Sequence, residues 1–339
     1  MKKDGEMKIK KVSDLRTELM GIATLGVLLA HTISIVSFPK TLEGILTYGN
    51  CAVYIFAFLS GFGLYFSLST STRLDRGGIL LFYKKRVERL ILPYLFLSCL
   101  WYGTRYLVLE FDFLNFFYEL SLFSFWMEHR GAWYVAMSII LYAIYPLYYY
   151  CTVKAGIEKS TAVSIVFVLG LGALIELYNP EVYSHLSKVL NSFIAALIGT
   201  FVAYWEQRGK NCYLGAFIGA GSYFFVMQMI PRLKQLHFLS SMKNLWLGVS
   251  LTYIALILFL FLDWKFIRTI LKNIGNYSLE LYLSNIYLIQ LYVYLTSRGM
   301  KIVGIPMQLV CYLIILITGV GLSVLSRIFL KNIKRVKRG

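Results

Sequence analysis

The sequence predicts an all-α membrane protein, a polytopic bundle of about ten transmembrane helices. Hydrophobic residues fill 58% of its 339 positions. A membrane span needs about 20 predominantly apolar residues, and runs near that length recur along the whole chain. Because they occupy most of the sequence, we expect residues 1–339 to form a single integral-membrane domain. The candidate spans are 19–38, 46–66, 90–109, 132–151, 162–177, 190–205, 213–230, 245–262, 278–295 and 305–329.

The placement of the basic residues fits such a membrane protein. The chain has 34 Lys and Arg against 17 Asp and Glu, an excess that nucleic-acid-binding proteins also show. Here the basic residues concentrate near the two ends and in the segment 67–89. The positive-inside rule then makes the basic N-terminus, 1–18, and the basic tail, 331–339, cytoplasmic. Anionic lipid headgroups are sufficient partners for these charges, so no nucleic acid is expected.

The first span contains His31 as its one titratable side chain. An ionisable group inside a membrane is costly and is usually retained for function. Imidazole is also the side chain best suited to proton transfer near neutral pH. A hydrogen-bonded structural histidine is the alternative interpretation, and the span alone leaves both open.

The second span carries Ser60, Gly61 and Gly63 within a few residues. Such small residues let two membrane helices approach closely, and a serine hydroxyl can bond within or between helices. A slot for the hydrophobic arm of a ligand is the functional alternative.

Basic residues precede the third span. In a helix, Arg86 and Arg89 share one face, with Lys85 one turn from Arg89. Two guanidinium groups on one face suit phosphate, because each offers paired donors in a rigid fork. Taken alone, these residues are better explained as ordinary juxtamembrane charge.

Polar and aromatic residues mark two later spans. Trp133 begins the fourth span, where an interfacial anchor is the ordinary explanation. Glu280 and Asn285 lie inside the ninth span and indicate a cavity or a helix contact rather than lipid. The five cysteines are widely spaced, with no pair at metal-ligand spacing, so no metal site is expected.

Taken together, these segments resemble the integral-membrane acyltransferase-3 family, which includes bacterial polysaccharide and peptidoglycan O-acetyltransferases. The resemblance covers most of the chain in matching order. It rests on 18–23 followed by His31, 58–62, 86–89 with Pro93, 132–134 with Pro146, and 278–285.

Two positions depart from the family pattern. The family's basic residue before the histidine falls at Met20 here, on the same helical face as His31. Arg16 lies one turn earlier on nearly that face and is the candidate substitute, although its side chain leans toward the helix N-terminus and away from His31. Asn285 stands where family members often have histidine, so we expect no proton transfer there.

The resemblance implies transfer of an acetyl group from acetyl-CoA to a hydroxyl of a cell-surface or lipid-linked glycan. It assigns catalysis to His31 with Arg16, and acyl-donor binding to Lys85, Arg86, Arg89 and Ser60. Trp133, Glu280 and Asn285 are the candidates for binding the acceptor. Acetyl-CoA would be consumed as a substrate, and no permanently bound cofactor is expected.

A partly desolvated His31 is expected to stay neutral, as a general base must. It would deprotonate the acceptor hydroxyl or accept the acetyl group itself. Two other functions compete with this one. A multispan glycan or lipid transporter also places ionisable residues in its spans. A structural partner in an envelope-synthesis complex, with a decayed site, would account for Met20.

Overall fold

The computed structural model describes residues 11–69, 76–210, 237–261 and 264–336. Within these ranges the regular elements are all helical, which confirms the all-α prediction. We number the fifteen described α-helices in chain order. They are α1 (Val12–His31), α2 (Lys40–Thr47), α3 (Ala52–Ser69), α4 (Arg76–Arg86), α5 (Leu92–Tyr102), α6 (Phe113–Leu120), α7 (Phe123–Glu128), α8 (Trp133–Ala155), α9 (Ile157–Tyr178), α10 (Pro180–Gln207), α11 (His237–Ser241), α12 (Lys243–Phe261), α13 (Lys265–Asn276), α14 (Ser278–Ser297) and α15 (Ile305–Val336).

The described residues contain seven helical segments that are long and apolar enough to cross a membrane. A polytopic helical membrane protein is therefore confirmed, while the predicted number of ten spans is not. The predicted span 213–230 lies outside the described residues, and the predicted spans 90–109 and 278–295 are helical but are not among the seven. The seven are Val12–Ser34, Lys40–Ser69, Trp133–Ala155, Ile157–Tyr178, Pro180–Gln207, Phe238–Phe259 and Ile305–Ile333.

The chain packs into two compact units that alternate along the sequence, so that α1, α3 and α8 each contribute residues to both. The prediction of a single domain stays a prediction. The first unit consists of the described parts of Met1–Ala23, Cys51–Ser67 and Cys151–Asn276, and the second of those of Thr24–Asn50, Leu68–Tyr150 and Tyr277–Gly339.

In the first unit, α3 and α10 touch backbone to backbone. A Cβ atom built on Gly61 would overlap the Ala196 carbonyl, and one on Gly199 would overlap the Phe58 carbonyl. The Thr200 hydroxyl, one residue further along α10, donates to the Gly61 carbonyl at 3.3 Å. The close packing predicted at Gly61 is thus confirmed, and it follows the small-residue pattern of membrane helix pairs.

The start of α1 is held within the same unit by a carboxylate from α10. Glu206, only 6% exposed, accepts hydrogen bonds from the backbone N–H groups of Val12 and Ser13 at 2.9 and 3.2 Å. The first N–H groups of a helix have no intrahelical partner, and the helix dipole favours a negative charge beside them. Glu206 therefore caps a helix that lies far from it in sequence.

In the second unit, α14 packs against α5 and α15 through polar side chains. Ser98 and Tyr287 share a hydrogen bond of 2.6 Å, and the Trp101 indole donates to Gln290 at 2.7 Å. On the other side of α14, the Ser284 hydroxyl contacts the Gly319 carbonyl of α15 at 3.2 Å. These polar side chains of α14 therefore find hydrogen-bond partners within the protein.

A wide helical turn joins α4 to α5 at the start of the predicted span 90–109. Pro93 has no N–H to donate, and its ring crowds the carbonyl of Arg89 four residues earlier. The backbone responds with a π-helical turn over Val87–Ile91, between α4 and α5. Such single wide turns inside helices occur often at functional sites.

Gly61→Ala is expected to destabilise the protein by about 1–3 kcal/mol, because the added methyl group must displace the Ala196 backbone from a close contact. The matched control is Gly170→Ala, since a Cβ on that glycine of α9 meets nothing within 4 Å. Thermal unfolding of both variants in one detergent measures the difference. Equal melting temperatures for Gly61→Ala and the unmodified protein would contradict the backbone contact.

Candidate active site

His31 is the last residue of α1 and lies half-buried in the second unit. Its ring atom Nδ1 is 2.7 Å from the side-chain oxygen of Asn285, a residue of α14 that is 2% exposed. The Asn285 side-chain nitrogen lies 3.5 Å from the hydroxyl of Tyr312 on α15, which in turn donates to the carbonyl of Leu28. Three helices therefore meet at the imidazole through a continuous set of polar atoms.

The sequence predicted His31 and Asn285 separately, and the structure places them in direct contact. Their contact joins the end of α1 to the middle of α14, and neither helix's sequence pattern indicates it. Tyr312 was not predicted at all, because a single tyrosine in an apolar run carries no distinguishing signal. Asn285 had been assigned to acceptor binding, whereas the structure shows it as the hydrogen-bond partner of His31.

A series of aromatic ring contacts connects His31 with Trp133. The ring centres of His31 and Tyr282 are 6.5 Å apart, and Tyr282 packs edge to face on Tyr134 at 6.0 Å. Trp133 follows, with its ring 5.9 Å from that of Tyr134. Aromatic side chains with a few polar groups are typical linings of small-molecule sites. Trp133, an acceptor-binding candidate, is thereby connected to the imidazole through two tyrosines.

A basic cavity of about 660 Å³ opens in the same unit. It contains all three cations predicted before the third span, Lys85, Arg86 and Arg89. It also contains two cations that the sequence did not assign to any site, Arg327 and Lys331 at the end of α15. The full lining is Lys85, Arg86, Glu88, Arg89, Pro93, Glu280, Arg327, Leu330 and Lys331.

Arg86 lies against aromatic rings at the edge of this cavity. Its guanidinium carbon is 5.0 Å from the ring centre of Phe82 and 5.5 Å from that of Tyr142. Burial lowers the pKa of Arg86, and the charge of Arg89 acts in the same direction, but arginine remains protonated in proteins. Among the described residues, its buried Nε has no hydrogen-bond partner. A buried charged donor of this kind fits a site for an anion.

Arg327 is held in place by two contacts. Its Nε donates to Glu280 at 2.9 Å, and its guanidinium lies 3.9 Å from the ring centre of Tyr277. No described residue hydrogen-bonds its two terminal nitrogens, which can therefore bind a ligand. Glu280 had been assigned to acceptor binding, and the structure places it in the basic cavity as the partner of Arg327.

Two predicted site residues lie in the first unit. The Nε and a terminal nitrogen of Arg16 donate to the Leu59 carbonyl at 3.2 and 3.1 Å, and the missing side chain of Gly63 makes room for the guanidinium. Ser60, half-buried on α3, is not among the residues that line the basic cavity. The catalytic role of Arg16 and the donor-binding role of Ser60 stay predictions.

A family model described as an acyltransferase domain matches residues 19–327 of this chain. No curated protein and no solved structure matches the sequence. The match spans both units and includes His31, Asn285 and Tyr312. It also includes four of the five cations of the basic cavity, since only Lys331 lies beyond residue 327. It favours an enzyme over the transporter alternative.

Arg327→Met is expected to cost about 1–3 kcal/mol of stability, because Glu280 would stay buried without its donor. Adding Glu280→Gln should recover part of that loss, since no unpaired charge then remains. The double-mutant cycle, followed by thermal unfolding, isolates the pair. Strictly additive losses would show that the two side chains do not interact in the folded protein. Lys331→Met, on the same cavity, is the control for loss of a cation.

Proposed function

The chain belongs to the acyltransferase-3 family, and from that premise we propose that it moves an acetyl group from acetyl-CoA to a hydroxyl of a cell-surface or lipid-linked glycan. Its membrane spans and its family make it a multi-pass membrane acyltransferase. The observation that carries the proposal is the presence, in one unit, of a basic cavity of about 660 Å³ and a half-buried histidine with an oriented partner.

The basic cavity is the proposed site of the nucleotide end of the donor. Five cationic and two acidic side chains line it, which leaves an excess of positive charge. The phosphate groups of coenzyme A are multiply charged, and guanidinium groups bind phosphate through paired donors. Arg86 has a buried unpartnered Nε, and Arg327 has two available terminal nitrogens, so both offer donors to such a ligand.

Helix α14 connects this cavity with the histidine. Glu280 lies at the cavity and Asn285 at His31, five residues apart on one helix, which corresponds to roughly 7–8 Å along its axis. A thioester on a long and narrow pantetheine arm can span a separation of that order while the nucleotide stays among the cations. The same helix therefore sets the spacing between donor binding and chemistry.

At His31, the imidazole would remove the proton from the acceptor hydroxyl while the hydroxyl oxygen attacks the thioester carbonyl carbon. An ester C–O bond forms, the C–S bond breaks, and the leaving thiolate takes the proton from the imidazolium. In a two-step route the imidazole itself would first accept the acetyl group and then pass it to the hydroxyl. Both routes need one ring nitrogen with an available lone pair.

The acceptor would reach His31 along Trp133, Tyr134 and Tyr282. These side chains present apolar rings beside a half-buried base, an arrangement suited to holding a sugar ring with one hydroxyl toward the imidazole. We place the basic cavity and both termini on the cytoplasmic side, because the basic residues follow the positive-inside rule. Membrane lipids are then the surrounding partners of the protein.

Arg86→Ala combined with Arg89→Ala is expected to weaken acetyl-CoA binding by about a hundredfold or more, since each lost charge-assisted bond costs about 1.5–3 kcal/mol. Arg89→Lys should retain part of the affinity, because an ammonium group lacks the paired donors. The control is Lys84→Ala, a neighbouring exposed cation outside the cavity. Calorimetric titration of the purified protein measures the affinity. An unchanged affinity in the double variant would return these arginines to an ordinary juxtamembrane role.

His31→Ala is expected to abolish acetyl transfer while leaving acetyl-CoA binding intact, because the imidazole lies outside the basic cavity. Loss of the Asn285 hydrogen bond should lower stability by only about 1 kcal/mol. Transfer of labelled acetyl groups and donor binding are measured on one preparation, with His185→Ala as the control histidine. A folded His31→Ala variant that still modifies its glycan would exclude the catalytic role.

A further inference from the structure

We propose that Tyr312 is a positioning residue that sets the tautomer of His31 through Asn285, so that Nε2 carries the lone pair. The position of the proton on the neutral imidazole does not depend on what His31 does. Only the effect of that position on turnover rests on the proposed function. It follows from the direction in which each hydrogen bond of the set around His31 must run.

The direction is fixed first at Leu28. This residue lies in the last turn of α1, and its carbonyl contacts the Tyr312 hydroxyl. A carbonyl oxygen only accepts, so the Tyr312 hydroxyl must give it its single proton. The tyrosine oxygen is then left with lone pairs alone toward its other neighbour.

That neighbour is the Asn285 amide, which can face Tyr312 with either its NH₂ group or its oxygen. The oxygen would oppose the lone pairs of the tyrosine oxygen, whereas the NH₂ group donates to them at 3.5 Å. The amide therefore keeps its nitrogen toward Tyr312 and its oxygen toward His31.

The amide oxygen, 2.7 Å from Nδ1, accepts a hydrogen bond and cannot donate one. The neutral imidazole must then carry its proton on Nδ1. Within the part of the chain that the structure describes, Nε2 has no hydrogen-bond partner, so its lone pair is available to an acceptor hydroxyl. This is the nitrogen that a general base or a nucleophile requires.

Burial makes the arrangement stable. Asn285 is 2% exposed and Tyr312 4%, and Tyr312 packs with Ile35, Val36 and Ile315 in a hydrophobic cluster. Water has little access there to replace a wrong partner, so a reversed amide would leave polar atoms unsatisfied. A carboxylate at 285 would orient the imidazole without help, because both its oxygens accept. A neutral amide has one accepting and one donating end, and the contact with Tyr312 fixes which of them faces His31.

The test is nitrogen-15 NMR of the full-length protein in lipid nanodiscs, with labelled histidine and a pH at which His31 is neutral. The signal of His31 is identified by its loss in His31→Gln. We expect the unmodified protein to carry the His31 proton on Nδ1, and Tyr312→Phe to give a mixture of the two tautomers. Tyr292→Phe is the control. Tyr292 packs against the same hydrophobic cluster, but the hydrogen bonds from Leu28 to Asn285 run through Tyr312 and do not involve Tyr292. A proton on Nε2 in the unmodified protein, or no change in Tyr312→Phe, would overturn the proposal.

A second pair of variants separates orientation from general damage. In Asn285→Asp, either carboxylate oxygen can accept the hydrogen bond from Nδ1 without help from Tyr312. Adding Tyr312→Phe should therefore leave the proton on Nδ1. Mixed tautomers in that double variant would mean that Tyr312→Phe disturbs the site by misfolding, and would count against the proposal.

Turnover distinguishes this inference from the proposed function. Tyr312→Phe should lower kcat roughly twofold, in proportion to the fraction of His31 that keeps its proton on Nδ1 when the two tautomers become about equally populated, without changing the KM for acetyl-CoA. If the NMR result holds while His31→Ala keeps full activity, the tautomer assignment stands and the catalytic role of His31 fails. If Tyr312→Phe instead raises the KM for acetyl-CoA at constant kcat, the proposed positioning role is wrong.

Discussion

The second unit depends on one constraint, which is that the polar side chains of α14 must find hydrogen-bond partners inside the protein. Water has little access to these buried side chains, so most of them are matched by a neighbouring group, whereas the buried Tyr282 hydroxyl has no hydrogen-bond partner among the described residues. Ser284 is matched by the backbone of α15, Tyr287 by Ser98 of α5, and Asn285 by the end of α1. These matches fix the rotation of α14, and with it the place of each functional residue along the helix.

The same constraint explains why donor binding and chemistry share one helix. A buried carboxylate is costly unless it is paired. Glu280 meets that requirement by holding Arg327, whose remaining donors then line the basic cavity. Asn285 meets the equivalent requirement for an amide by bonding to His31. Both polar residues are stabilised by the groups that they orient.

Composition and hydrophobic periodicity were sufficient to predict the helical membrane class. The same local patterns singled out His31 and the cations before the third span, whose roles stay predictions. Each of these depends on residues close together in sequence. The contact of His31 with Asn285 and Tyr312, and the cavity that Arg86 shares with Arg327, could not be predicted in this way, because these residues lie far apart in sequence. The predicted ten spans included 278–295, but the corresponding helix α14 is not among the seven described segments that are long and apolar enough to cross a membrane.

The wide helical turn at Val87–Ile91 has a consequence for how this protein can change over evolution. A π-helical turn is equivalent to one inserted residue, and one residue corresponds to about 100° of rotation in an α-helix. The cations before Pro93 therefore have an angular register of their own, offset from that of the span that follows. Mutations that let the helix become regular would turn Arg86 away from the cavity even if every cavity residue were kept. The backbone of this turn thus shapes the basic cavity together with the side chains it presents.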